Sequence, residues 1–315
     1  MPAVPRSRAK RLDISMLRIG VDLGGTKIEL AAFGASGEPR HRERIATPAG
    51  DYDATVEAVA RLVERAEQAL GERASVGVAT PGAISPATGL IKNANSTCLN
   101  GRPLKQDLER RLEREVRLAN DANCFALSEA TDGAGRCAAV VFGVILGTGV
   151  GGGIVAHGRI LEGPNAIAGE WGHNPLPLPR STDEPLPTCY CGRRGCIETY
   201  LSGPGMSADH ERATGQRLDA ASIVRLAGEG DRAGAATLDR YAERLARSLA
   251  SVINILDPDV IVLGGGLSQV RSLYDQVPRL WSPYVFSDTV RNRLAAPVHG
   301  DASGVRGAAW LWERA

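Results

Sequence analysis

The chain has 315 residues, 43% of them hydrophobic, 23% charged and only 4% aromatic, with a formal charge of +1. That length admits two domains of ordinary size, each with its own core. So small a net charge gives no global attraction to nucleic acid or an anionic membrane, and no stretch reaches the roughly eighteen apolar residues of a membrane-spanning helix.

The first twelve residues form a basic leader, with Arg6, Arg8, Lys10 and Arg11 among small residues, and lack the apolar stretch of a secretory signal. Residues 1–16 are expected to be disordered and the protein to be cytoplasmic. Leu17 to Leu23 reads as a short apolar strand running into Asp22-Leu-Gly24-Gly25-Thr26-Lys27, and Ile28 to Phe33 resumes as a strand. Strand, glycine turn, strand is a β-hairpin. A P-loop or a dinucleotide fingerprint would need a helix after its glycines, so both are set aside.

Val56, Val59, Ala60, Leu62, Val63, Ala66 and Leu70 recur at helical spacing and predict a helix over 55–70. Ser75 to Thr80 is a buried strand ending at Pro81-Gly82. A second helix is predicted over 104–115 and a strand over 116–119. Asn120-Asp121-Ala-Asn123 then opens a helix to about Thr131. Val140 to Leu146 begins a second cycle, a strand entering Gly147-Thr148-Gly149-Val-Gly151-Gly152-Gly153 and then a strand over 154–156. The recurrence suggests a distant internal repeat of one nucleotide-handling architecture. Pro175 to Pro187 is a proline-rich surface excursion. Helical pattern returns over 220–227 and 235–255, a strand over 260–263 meets Gly264-Gly265-Gly266, and 304–312 is a small-residue helix with an apolar anchor. Alternating strands and helices place the chain in the α/β class.

Six cysteines are present, and three of them crowd into Cys189-Tyr-Cys191-Gly-Arg-Arg-Gly-Cys196, with His173 upstream. Three thiolates and one imidazole suit a closed, four-coordinate structural Zn2+ site in a reducing compartment better than disulfides. Glu170 and Glu198 flank this cluster and would suit a ligand rich in hydroxyls. Asp22 with Gly24, Gly25 and Thr26 offers backbone N–H groups, a hydroxyl and a carboxylate to a phosphate and Mg2+, or forms a plain capped hairpin. Gly147-Thr148-Gly149 and Gly264-Gly265-Gly266 are two further loops of that kind, and together the three suggest ATP or a relative. Asp121 fits either a helix cap or a general base toward a substrate hydroxyl.

These motifs resemble the ROK family of sugar kinases and sugar-responsive repressors, over nearly all of 17–315. The resemblance rests on Asp22-Leu-Gly-Gly-Thr-Lys27, Asn120-Asp121-Ala-Asn123, Gly147-Thr-Gly149, Gly169-Glu-Trp-Gly-His173, the cysteine run through Glu198, and Val262-Leu-Gly-Gly-Gly266. It implies a two-lobed actin-like (ribonuclease H-like) ATPase fold with nucleotide and sugar in the cleft, 17–119 plus 300–315 forming one lobe and 120–299 the other. Lys92-Asn-Ala-Asn-Ser-Thr, Ala168 to Pro177, Asn254 to Asp259 and Ser303 to Trp312 look most like the bacterial fructokinase (mannofructokinase) branch. That branch implies ATP-dependent phosphorylation of fructose, and also of mannose, at the 6-hydroxyl; glucose or N-acetylmannosamine is the alternative substrate.

Carried over, the resemblance makes Asp121 the catalytic base and Gly82, Asn120, Glu170, His173 and Glu198 sugar contacts. Asp22, Gly24, Gly25, Thr26 and Lys27 would surround the γ-phosphate and Mg2+, Gly147, Thr148 and Gly149 the other phosphates, and Gly265 and Gly266 the adenosine. His173, Cys189, Cys191 and Cys196 would hold Zn2+. The family also implies a homodimer. A repressor would need a helix-turn-helix segment of some 60–80 residues ahead of the first glycine loop, where only about sixteen residues stand, so no nucleic-acid partner is expected. One position departs from the family pattern: Ala166 stands where a further glycine is usual ahead of Gly169-Glu170.

Overall fold

The computed structural model describes residues 17–312, so the disordered leader expected over 1–16 lies outside the described residues. The first sheet is made by β1 (Arg18–Leu23), β2 (Lys27–Phe33), β3 (Pro39–Ala46), β4 (Ser75–Thr80) and β7 (Val116–Asn120). The helix α1 (Tyr52–Leu70) and a two-stranded ribbon, β5 (Ala83–Ile84) with β6 (Ile91–Lys92), lie between its members, with α2 (Leu104–Leu112). After α3 (Asp121–Thr131) comes the second sheet, of β8 (Val140–Leu146), β9 (Val150–Ala156), β10 (Arg159–Ile160), β11 (Val260–Gly264) and β12 (Arg293–Ala295). A long excursion after β10 holds α4 (Glu198–Leu201), α5 (Gly203–Thr214), α6 (Ala220–Gly228) and α7 (Arg232–Leu256). Next, α8 (Ser272–Trp281) precedes β12, and α9 (Ser303–Trp310) follows it.

The two sheets have one wiring. Their orders are β3-β2-β1-β4-β7 and β10-β9-β8-β11-β12. In each the first three strands in the chain are joined antiparallel and the last two run parallel to the first. Parallel pairing needs crossovers, and the helices supply them. The repeated strand–glycine–strand pattern is therefore a repeated sheet.

Local chemistry sets the element ends. Asp51 caps α1 by accepting from the Ala54 amide, and Gly71 closes it in the left-handed region at φ 71°. Its inner face fully buries Val59, Leu62 and Val63, each contributing about 1.5–3 kcal/mol of burial. The helix predicted over 104–115 stops at Leu112, because Glu113 turns to φ 53°. The helices read at 220–227 and 235–255 run over 220–228 and 232–256, the second capped by Asp231. Strand β3 and helices α5 and α8 appear where the sequence reading had none.

The closing helix of each half packs across the other half's sheet. α3 lies on β8 and β9, whereas α9 lies on β1, β4 and β2, and the two helices pack on each other. Small residues permit this: a Cβ on Gly307 would lie 1.7 Å from the Cys124 carbonyl, and one on Gly77 would lie 1.8 Å from that of Ala308. Arg18 stacks on Trp310, and the Trp312 indole donates to the Val76 carbonyl at 2.7 Å.

A buried ion network ties the stretch 175–187 to α7. Asp183, fully buried, accepts from Arg244 at 2.7 Å and from Arg247 at 2.9 Å, and Arg244 also reaches Asp209 at 2.8 Å. The Tyr200 hydroxyl donates to the Asp183 carbonyl at 2.8 Å, and Arg247 to that of Pro177 at 2.6 Å. The polar stretch 175–187 is thus pinned at its centre.

Candidate active site

Between the sheets lies a cleft of about 740 Å³, lined by Gly82, Asn93, Asn95, Asn120, Asp121, Gly147, Thr148, Gly149, Glu170, Thr188, Cys189, Tyr190 and Glu198 among others. Asp121 is the first residue of α3. Asn120 caps the helix, its carbonyl oxygen accepting from the Ala122 amide at 2.9 Å while its amide donates to the Gly82 carbonyl at 3.0 Å. Gly82 has φ 74°, and a Cβ there would lie 2.3 Å from the Lys92 carbonyl. This is a position only glycine fits. The Asp121 carboxylate accepts from the same Ala122 amide through Oδ1 at 2.8 Å and lines the cleft.

Water reaches Asp121 through the cleft mouth, but protein atoms close round its other sides. The resulting loss of solvation raises its pKa above the ordinary aspartate value, against hydrogen bonds from Ala122 and Asn120 that lower it. Asp22, at the end of β1, is pushed up to about 6, first by burial and then by Asp121 and Glu29, with Lys27 opposing. Glu29 is held by Arg42 and Arg44, which leaves Asp22 and Asp121 as the pair of carboxylates, and an oxygen-ligated Mg2+ fits that donor set. Glu170 is raised by lost solvation; His173 lowers it, and Asp121 and Glu198 raise it further. Glu198 accepts from the Val150 amide at 2.9 Å, which fixes its carboxylate beside the second glycine hairpin.

The ligand atoms of His173, Cys189, Cys191 and Cys196 all lie within 4.8 Å of one another. The Cys189 sulfur is 3.6 Å from His173 Nδ1, and the Cys191 and Cys196 sulfurs are 3.6 Å apart. A tetrahedral Zn–S site with bonds of about 2.3 Å has edges of about 3.8 Å. The donor set and its spacing therefore fit zinc. Nε2 of His173 meets the Tyr190 hydroxyl at 2.9 Å, so the nitrogen expected to face a sugar is engaged within the protein.

Of the other residues singled out from sequence, Gly24, Gly25 and Thr26 line a separate cavity of about 350 Å³ that meets the main cleft at Asn95. Gly265 and Gly266 line neither; they follow β11 beside β8, and Gly265 at φ 78° backs onto the Leu146 carbonyl. Asn93, Asn95, Thr188 and Tyr190 were not among the expected site residues. Their signals were local: a Lys-Asn-Ala-Asn run after a strand, and an aromatic between two ligand cysteines.

The chain is 43% identical over 296 residues to an N-acetyl-D-glucosamine kinase of Shigella boydii, covering 93% of this chain and 98% of that one. It is 42% identical, over the same shares, to the enzyme of that name from Salmonella typhimurium. Its fold superposes on the ROK hexokinase of Thermus thermophilus with a TM-score of 0.83 at 32% identity, over 93% of this chain and 97% of the other. It superposes on a ROK family glucokinase from Streptomyces griseus, solved with glucose and AMPPNP, with a TM-score of 0.74 at 27% identity, over 94% and 98%. These relatives carry other sugar names than the fructokinase branch expected from sequence. Residues 18–315 match the ROK family, and the chain belongs to it.

Proposed function

We propose that the protein transfers the γ-phosphoryl group of ATP to the 6-hydroxyl of a free hexose, and that the hexose is N-acetyl-D-glucosamine. The observation that carries the chemistry is the cleft itself, which Asp121 lines together with Glu170 and Glu198 around a space of about 740 Å³. Support for the sugar comes from relatives named N-acetyl-D-glucosamine kinases at 42–43% identity over nearly the whole chain. Fructose, favoured by short motifs, gives way to that longer likeness.

In this reading Asp121 accepts the proton of the sugar hydroxyl as it attacks the γ-phosphorus in line. Its pKa, raised by lost solvation, makes the carboxylate a stronger proton acceptor than an ordinary aspartate. Asn120, the Gly82 backbone, Glu170 and Glu198 orient the other hydroxyls, and His173 does so once Tyr190 yields. Asp22, Gly24, Gly25, Thr26 and Lys27 face the γ-phosphate, Gly147, Thr148 and Gly149 the remaining phosphates, and Gly265 and Gly266 the adenosine beyond them. Mg2+ beside Asp22 would neutralise phosphate charge. Zn2+ on His173, Cys189, Cys191 and Cys196 would supply rigidity and leave no open position for water. We assign 17–119 with 300–315 to one lobe and 120–299 to the other, which agrees with the packing of α3 and α9.

A coupled assay with ATP across N-acetylglucosamine, N-acetylmannosamine, glucose, mannose and fructose tests the reading. The expected result is a kcat/KM for N-acetylglucosamine at least about tenfold above the others, the discrimination that one buried polar group can supply. A preference for fructose would restore the first expectation, and no turnover on any of the five would remove the kinase reading.

A further inference from the structure

Residues 81–95 of the first half and 161–170 of the second meet beside the cleft: Gly82, Asn93, Asn95 and Glu170 line it, while Ala83, Ile84, Glu162, Gly163 and Ala166 line a neighbouring cavity of about 280 Å³. They are joined by one side-chain bond: Lys92, on β6, donates from its ammonium to the Asn165 carbonyl at 2.6 Å. The next residue is Ala166, held at φ 49° in the left-handed region that a Cβ disfavours. Its neighbours Gly163 and Gly169 take positive φ as well, at 72° and 92°, without that cost. The loop is closed on itself by bonds from the Ala166 amide to the Gly163 carbonyl and from the Ala168 amide to that of Glu162, both 3.2 Å. It leads directly into Glu170, on whose carboxylate Lys92 also acts through its charge.

We propose that Lys92 is a positioning residue for the sugar, holding loop 161–170 in its observed shape against the strain at Ala166 so that Glu170 stands ready in the cleft. The proposal rests on the sugar-kinase reading for its consequence but not for its geometry. A charged donor on a carbonyl is the strongest single tie available across this gap. The alanine opposes it, and the two together set how often the loop is in its binding shape. A population shift of that kind changes apparent sugar affinity and leaves the chemical step alone.

The test is a double-mutant cycle of Lys92→Met and Ala166→Gly, with Lys92→Arg as the conservative variant. Lys92→Met should raise the KM for the sugar by about 3- to 10-fold, a range discounted for the partial exposure of the pair, with kcat within about twofold and the KM for ATP unchanged. Lys92→Arg should recover part of the loss. Ala166→Gly in the Lys92→Met background should recover most of it, since glycine takes the left-handed shape freely. Hydrogen exchange at the Ala166 and Ala168 amides, read on the protein without sugar, should quicken in Lys92→Met and slow again in the double variant. Unchanged exchange in Lys92→Met, or a double variant no better than the single one, would overturn the proposal. If no sugar is turned over by the parent protein, the kinase reading fails by itself, and the exchange experiment still decides the role of Lys92.

Discussion

The two halves share one sheet order and differ in what joins it. In the first half the path from β3 to β4 runs from Ala46 to Ser75 and holds a single helix, α1. In the second, the corresponding path from β10 to β11 runs from Ile160 to Val260 and holds the Glu170 loop, the cysteine cluster, Glu198 and four helices. Their electrostatics differ likewise. First-half pairs such as Arg65 with Glu43, or Arg61 with Glu57, lie at the surface, whereas Asp183, Arg244 and Arg247 form a network almost wholly out of water. A repeated scaffold fixes where the strand ends meet, and the unequal crossover decides what is recognised there.

That contrast can be broken at its strongest point first. Asp121→Asn removes the proposed base from the seam between the halves and should lower kcat by roughly 10²–10⁴-fold, with no loss of thermal midpoint; near-normal turnover would remove the assignment. Asp183→Ala takes one carboxylate from each of two buried guanidinium groups, leaving Arg244 to Asp209 and Arg247 to Glu243, and should cost up to about 3–5 kcal/mol in denaturant unfolding. The matching change in the first half, Glu43→Ala at the surface, should cost under about 1 kcal/mol, and equal losses would erase the distinction between the halves. Cys191→Ser should lower zinc content and sugar affinity together, with a stability loss below the roughly 10 kcal/mol that structural zinc gives small peptides. Full zinc with unchanged affinity would sink the cluster reading.

A pH-dependent effect concerns Asp22. Its folded pKa of about 6 lies above the ordinary 3.8, so the fold binds a proton more tightly than the unfolded chain does. The stability this confers is fully present below about pH 4 and is lost as pH rises through 6. Asp22→Asn should therefore raise stability at pH 7–8 without Mg2+ by about 1–3 kcal/mol relative to the parent protein, while lowering turnover. Identical pH–stability curves between pH 4 and 8 for variant and parent would contradict the shift.

Much of this architecture was legible because it follows periodicity. Buried strands such as Val260 to Leu263 and the apolar stripe of α1 announce themselves, and glycine after a strand announces a hairpin. β3 was not legible. Its run Pro-Arg-His-Arg-Glu-Arg-Ile-Ala has one large apolar residue, and its place comes from pairing with β2 and from Arg42 and Arg44 closing on the buried Glu29. α5 opens on Gly203-Pro204-Gly205 and α8 contains Pro278, so both look like loops. Around the cleft, the carboxylates and the cysteine–histidine set could be singled out because their residue types and spacing are chemically specific, and the structure brings them together. Gly265 was placed by its glycine alone, and here its freedom serves a close approach to the Leu146 carbonyl. Tyr190 and Lys92 stand in runs that local pattern marks, but their partners, His173 and the Asn165 carbonyl, are set by tertiary contact.

The exchange of closing helices has a consequence for the order in which the molecule can be made. The first sheet is finished in the chain by Asn120, yet Gly20 and Gly77 are covered by α9, whose residues are translated after the whole second sheet. A nascent chain therefore carries an open sheet face through the synthesis of the whole second half, whereas the second sheet finds its covering helix, α3, already waiting. The half that begins the chain is the last to be completed.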